Sequence, residues 1–142
     1  MAAVPGIYTQ NFQGTGPGAI LNQDGVTGNG PGTLAAKGSV VSVYMTGEGQ
    51  TSPAGVTGEI APVNVPVPWK QPQLRATATI GGAPALVQYY GSAPGEISGV
   101  MQVNVQIPST ALTGPLPIVI TLTDPATGSS YSTQAQVTVS VQ

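Results

Sequence analysis

A chain of 142 residues makes one domain, long enough to bury roughly two-thirds of its unfolded surface in a single core. Only 6% of its residues are charged, against roughly 25% in ordinary soluble domains, while 20 are glycine and 14 are proline. Three basic residues and a net charge of −2 leave no basic patch for nucleic acid or anionic membranes, the lack of cysteine excludes disulfides and thiolate metal sites, and the lack of histidine withholds the usual general base and metal ligand.

The elements follow from alternation and from breakers, and they amount to about nine strands. The first is expected over Ile7 to Gln13 and is followed by the flexible run Gly14-Thr15-Gly16-Pro17-Gly18. A short strand, Ala19 to Asn22, ends in Gln23-Asp24-Gly25, and a Gly/Pro-rich loop then runs to about Gly38. Ser39 to Thr46 has the pattern of a core strand, with Val41, Val43 and Met45 on one face and Ser42, Tyr44 and Thr46 on the other. From Gln50 to Gln73 the prolines at 53, 62, 66, 68 and 72 forbid a central strand, because each removes a ladder donor. That segment is expected to be a long loop with an edge-like piece near Ile60 to Val67.

Strands resume with Leu74 to Ile80, turn at Gly81-Gly82, and continue through Ala83 to Tyr90. Val100 to Ile107 puts Met101, Val103, Val105 and Ile107 on one parity and Gln102, Asn104 and Gln106 on the other. Pro117 to Thr123 follows, then the turn Asp124-Pro125-Ala126-Thr127-Gly128, then Tyr131 to Val141, where Ala135, Val137, Val139 and Val141 alternate with polar residues. No helix is expected. One polar face per strand and frequent turn signals point to an all-β antiparallel sandwich, with a barrel as the weaker alternative.

Four segments, Pro5 to Thr9, Gly16 to Gly25, Val40 to Gly49 and Ile80 to Pro108, together resemble in order the Solibacter-type C-terminal domain, a family abundant in Acidobacteria that usually ends large secreted or surface proteins. The resemblance implies an immunoglobulin-like β-sandwich on the outside of a bacterium, with no assigned activity and no catalytic residues to carry over. The family's domain is usually an appendage, whereas here it makes up essentially the whole chain.

Residues that could carry chemistry are few. The acids Asp24, Glu48, Glu59, Glu96 and Asp124 each lie beside glycine or proline, and are expected to be solvated turn residues rather than a facing carboxylate pair. Asn22-Gln23-Asp24-Gly25 is a side-chain-stabilised turn rather than a calcium loop, which would need further ligands and a closing glutamate. No helix follows Gly14 to Gly18 to make it a phosphate loop. An enzyme is not expected, nor is any cofactor or metal. Tyr89 and Tyr90 are neighbours in a strand, so they face opposite ways and cannot line one sugar platform. Trp69 is the best single candidate for a surface contact.

The terminal strands, Ile7 to Gln13 and Tyr131 to Val141, hold no charge, although soluble β-proteins usually guard their edges with charge, proline or bulges. The expected organisation is a donor strand at 1–13 carrying Val4, Ile7, Tyr8 and Phe12, a hinge at 14–18, and a sandwich body at 19–142. The expected function is therefore a structural subunit of an extracellular, pilus-like bacterial filament whose partners are other copies of itself and whose N-terminal strand is exchanged between subunits. The alternative is a monomeric surface adhesive or carbohydrate-binding module, with glycans as partners. No apolar run nears the roughly 20 residues of a membrane-spanning helix, so no membrane insertion is expected. MAAVPGIY is not a signal peptide, and a signal removed ahead of this numbering is expected.

Overall fold

The computed structural model describes residues 2–63 and 70–142. It is all-β, with no helix among the described residues. The strands are β1 (Gly6–Ile7), β2 (Gly16–Pro17), β3 (Ile20–Leu21), β4 (Val40–Thr46), β5 (Thr51–Ser52), β6 (Gln71–Pro72), β7 (Arg75–Ile80), β8 (Ala83–Ser92), β9 (Met101–Gln106), β10 (Gly114–Thr123), β11 (Ser130–Ser132) and β12 (Val137–Val141). One curled sheet runs β1-β4-β9-β8-β7-β10-β12-β2, with β3 also beside β4 and β11 beside β10, while β5 and β6 form a separate small ribbon. The named ladders are antiparallel, except that β2 runs parallel to β12.

Period-two alternation builds the core. Val41, Val43 and Met45 of β4, Met101, Val103 and Val105 of β9, Ile118, Ile120 and Leu122 of β10, and Val137, Val139 and Val141 of β12 are all fully buried in one cluster, together with Ile80 of β7. Each large aliphatic side chain so buried contributes about 1.5 to 3 kcal/mol. The polar parity of β4 and β9 faces outward, as in Ser42 opposite Asn104 and Tyr44 opposite Gln102.

Two strands change partners, and those changes curl the sheet. Ala83 to Ala85 of β8 pair with β7, whereas Leu86 to Ser92 pair with β9. A bulge at Gln88 moves the inward parity, so Val87 and Tyr90 both pack against the core while Tyr89 lies on the other face. β10 pairs with β12 through Gly114 to Pro117 and with β11 through Thr121 to Thr123. The expected strand from Tyr131 to Val141 is consequently split. Thr133 to Val137 oppose the shorter run Ile118 to Ile120, so the strand must bulge. Thr133 closes the gap, its N–H donating to the Ile120 carbonyl and its Oγ1 accepting from the Ile120 N–H.

The first expected strand is also shorter than alternation suggested. After Ile7 the chain turns, with the Phe12 N–H bonded to the Thr9 carbonyl and Phe12 at φ 59°, a left-handed conformation that cannot continue a ladder. The Gly14 to Gly18 run is not a bare hinge, because Gly16–Pro17 pairs with β12. In the proline-rich region Thr51 and Ser52 pair with Gln71 and Pro72, and Ile60 bridges to Ile97. The remainder of the expected edge piece, from Asn64 on, lies outside the described residues.

Candidate functional site

The N-terminal residues lie in the seam between the outer edges of β4 and β12. On the β4 side Gly6 and Ile7 pair with Thr46 and Met45, and Ile20 and Leu21 pair with Val43 and Ser42. Between these two short ladders, the Tyr8 N–H donates to the Tyr44 carbonyl, Tyr44 N–H to Ala19 and Ala19 N–H to Tyr8, at 3.1, 3.1 and 2.7 Å. The excursion through β2 reaches the other edge, where Gly16 and Gly18 donate to the Gln136 and Thr138 carbonyls at 2.8 and 3.0 Å.

Side-chain amides complete the closure where backbone does not. The Ile7 N–H donates to Gln134 Oε1 at 3.0 Å, and Gln134 Nε2 donates to the Ile7 carbonyl at 2.7 Å. Asn29 treats β12 the same way: Oδ1 accepts from the Ser140 N–H at 2.7 Å and Nδ2 donates to the Ser140 carbonyl at 2.8 Å. A primary amide offers the same donor and acceptor as a peptide unit, so each side chain stands in for one residue of a strand. Asn29 and Ser140 are both buried, which makes their pairing obligatory. Nothing local in the sequence marks Gln134 or Asn29, because their partners lie 127 and 111 residues away.

Of the four expected donor residues the core takes only Ile7, at 2% exposure, together with Ala3. Val4, Tyr8 and Phe12 face outward, Val4 and Phe12 at 86% and 96% exposure. The reason is parity: Ile7 and Thr9 point inward, so the even positions point to solvent. Close approach fixes the segment's entry. A Cβ on Gly47 would lie 1.8 Å from the Val4 carbonyl oxygen, so only glycine lets the N-terminal segment cross there. Trp69, the expected surface contact, lies outside the described residues.

The acids divide. Asp24 organises its turn as expected, Oδ1 accepting from the Val26 and Thr27 N–H groups, and the Thr27 hydroxyl bond together with these backbone bonds holds its pKa below the ordinary value. Asp124 Oδ1 likewise accepts from the Ala126 N–H, which lowers its pKa, but Asp124 and Glu48 are largely shielded, at 8% and 7% exposure, contrary to the expectation of solvated acids. Burial pushes the Glu48 carboxyl above its ordinary range. Among the described residues no three acids come together to hold a metal ion.

A cleft of about 710 Å³ on the outer face holds Tyr44, Glu96, Gln10 and Asn29. Burial first, and then the Glu96 charge, raise the Tyr44 pKa, so ring and carboxylate share that cleft. Comparison with family models, with curated proteins and with solved structures finds no match to this chain.

Proposed function

We propose that the chain is a structural subunit of an extracellular bacterial filament, polymerising by strand addition in which residues 1–13 of one copy take the place of the same residues in the next. The observation that carries this reading is how β1 is held. It has a two-residue ladder on β4 and one side-chain amide on its other edge, yet it delivers Ile7 to the core, and the segment leading into it delivers Ala3. Such a segment is costly to lose and easy to exchange, because an identical segment from a neighbour restores every contact. Extended, residues 2–13 reach on the order of 40 Å, enough to cross an adjacent copy. Ile7 would supply most of the burial, about 1.5 to 3 kcal/mol.

The resemblance to the Solibacter-type domain supports the finer parts of this reading: an immunoglobulin-like sandwich, a bacterial surface location and a non-catalytic role. The curl of the sheet at β8 suits a two-layer description. A monomeric glycan-binding module is the second reading, favoured by the outward cleft that joins the Tyr44 ring to a carboxylate and two amides.

Deleting residues 1–13 tests the first reading. The expected result is loss of polymers and a destabilised body, both restored by a synthetic peptide of those residues added in trans. A truncated chain as stable and as assembled as the full chain would end the proposal.

A further inference from the structure

Glu48 lies in the turn after β4, 7% exposed, on the wall of a cleft of about 760 Å³. Its Oε2 is buried and has no hydrogen-bond partner among the described residues. A buried carboxylate oxygen without a donor is a costly arrangement, and few such groups occur in native structures. The cation on the same cleft wall, Lys70, is engaged by Glu59. The other polar side chains of the cleft, such as Thr51, Gln73, Ser92 and Ser98, are neutral. Among the described residues that line it, the cleft has no positively charged donor beyond Lys70, which Glu59 holds.

The opposite end of β4 presents one. Lys37 is the second residue of the turn Ala36 to Ser39, closed by the Ser39 N–H on the Ala36 carbonyl at 3.1 Å with Gly38 at φ 80°, the pattern of a type II turn. The side chain is exposed and makes no hydrogen bond or ion pair among the described residues. Seven residues of strand separate the turn of Lys37 from that of Glu48, roughly 20 Å or more, so the two cannot meet within one chain. Arg75, the remaining base, follows Leu74, which packs near Gly49, and so shares the Glu48 end.

We propose that the Glu48 cleft is a socket for a primary ammonium, and that the occupant is Lys37 of a second copy, making a head-to-tail contact along the β4 direction. A knob at one end and a socket at the other form a heterologous interface, which extends instead of closing. Charge complementarity supports the choice of occupant: at the socket end Glu48, Glu59 and Glu96, the last beside the cleft residue Ile97, outnumber Lys70 and Arg75, while Lys37 stands on the far turn. The inference rests on self-assembly but not on strand exchange.

A double-mutant cycle on the full chain tests it, with Lys37→Gln, Glu48→Gln and the double variant compared by sedimentation for the concentration at which association begins. Glu48→Gln removes a buried charge and should fold at least as well as the parent, which circular dichroism checks. Each single change is expected to raise the association concentration by about tenfold or more, and the double change by no more than the larger single effect. Unchanged association in either single variant, or fully additive effects, overturns the proposal. So does a parent chain that stays monomeric at every concentration. If deletion of residues 1–13 abolishes polymers while the cycle shows no coupling, strand exchange stands and this contact falls. If the truncated chain still associates in a Lys37- and Glu48-dependent way, the reverse holds.

Discussion

Glu48 shows how far one residue's environment can depart from its local sequence. Flanked by Gly47 and Gly49, it has the setting of a solvated turn acid, and Asp24, beside Gly25, behaves as one. Glu48 is instead covered because Ala2 to Pro5 arrive against the Gly47-Glu48-Gly49 turn from more than forty positions away. Burial raises its pKa in the folded state, so the folded protein binds that proton more tightly than the unfolded chain does. The contribution to stability is therefore fully present below the ordinary value of 4.5 and is lost as pH rises through the raised folded value. Asp24 and Asp124 have the opposite sign, with lowered values, so their contributions are lost only as pH falls below the ordinary 3.8. The two windows do not overlap. Urea midpoints measured from pH 4.5 upward should decline for the parent and stay flat for Glu48→Gln. Parallel declines in both proteins would mean that Glu48 is not the group titrating.

At the scale of elements, the seam is held by amides of unequal burial. Removing Asn29 leaves the N–H of buried Ser140 without its acceptor, while the Ser140 carbonyl keeps the Ala35 N–H, so Asn29→Ala is expected to cost about 2 to 3 kcal/mol. Gln134→Ala exposes the edge of β1 to water instead and should cost about 1 kcal/mol. It should also speed amide hydrogen exchange at Ile7 while leaving Val103 protected. Denaturant titration and exchange measurements check both, and equal costs with unchanged exchange at Ile7 would remove the distinction. β4 and β9, which pair with each other in one unbroken register, lie within a residue of where alternation puts them. Tyr131 to Val141 does not, because β10 meets it in two registers and alternation carries no information about register changes. Ala83 to Tyr90 hides the bulge at Gln88 for the same reason.

For the whole molecule, closure joins Ile7 to Gln134 and Asn29 to Ser140, the most distant kind of contact a chain this long can make. Such non-local pairing is slow to form, on the order of milliseconds to seconds in all-β domains. While the seam is open, a neighbour's N-terminus competes with the chain's own, whose effective concentration is of millimolar order. Refolding at rising protein concentration should therefore increase the polymeric share at the expense of monomer, as read by size exclusion with light scattering. A monomer share independent of concentration would count against exchange at the seam.

The sequence alone determines that the chain is all-β, which residues of β4, β9 and β12 face the core, and where the Asp24 and Gly81-Gly82 turns fall, because period-two alternation and turn chemistry are local properties. Tertiary structure alone decides that β1 lies on the β4 edge with Ile7 inward and Phe12 outward, that Gln134 and Asn29 act as strand residues, and that Glu48 is buried with its Oε2 unpartnered among the described residues. Each of these depends on a partner distant in the chain, and pairing across such distances follows from the packing of the whole sheet.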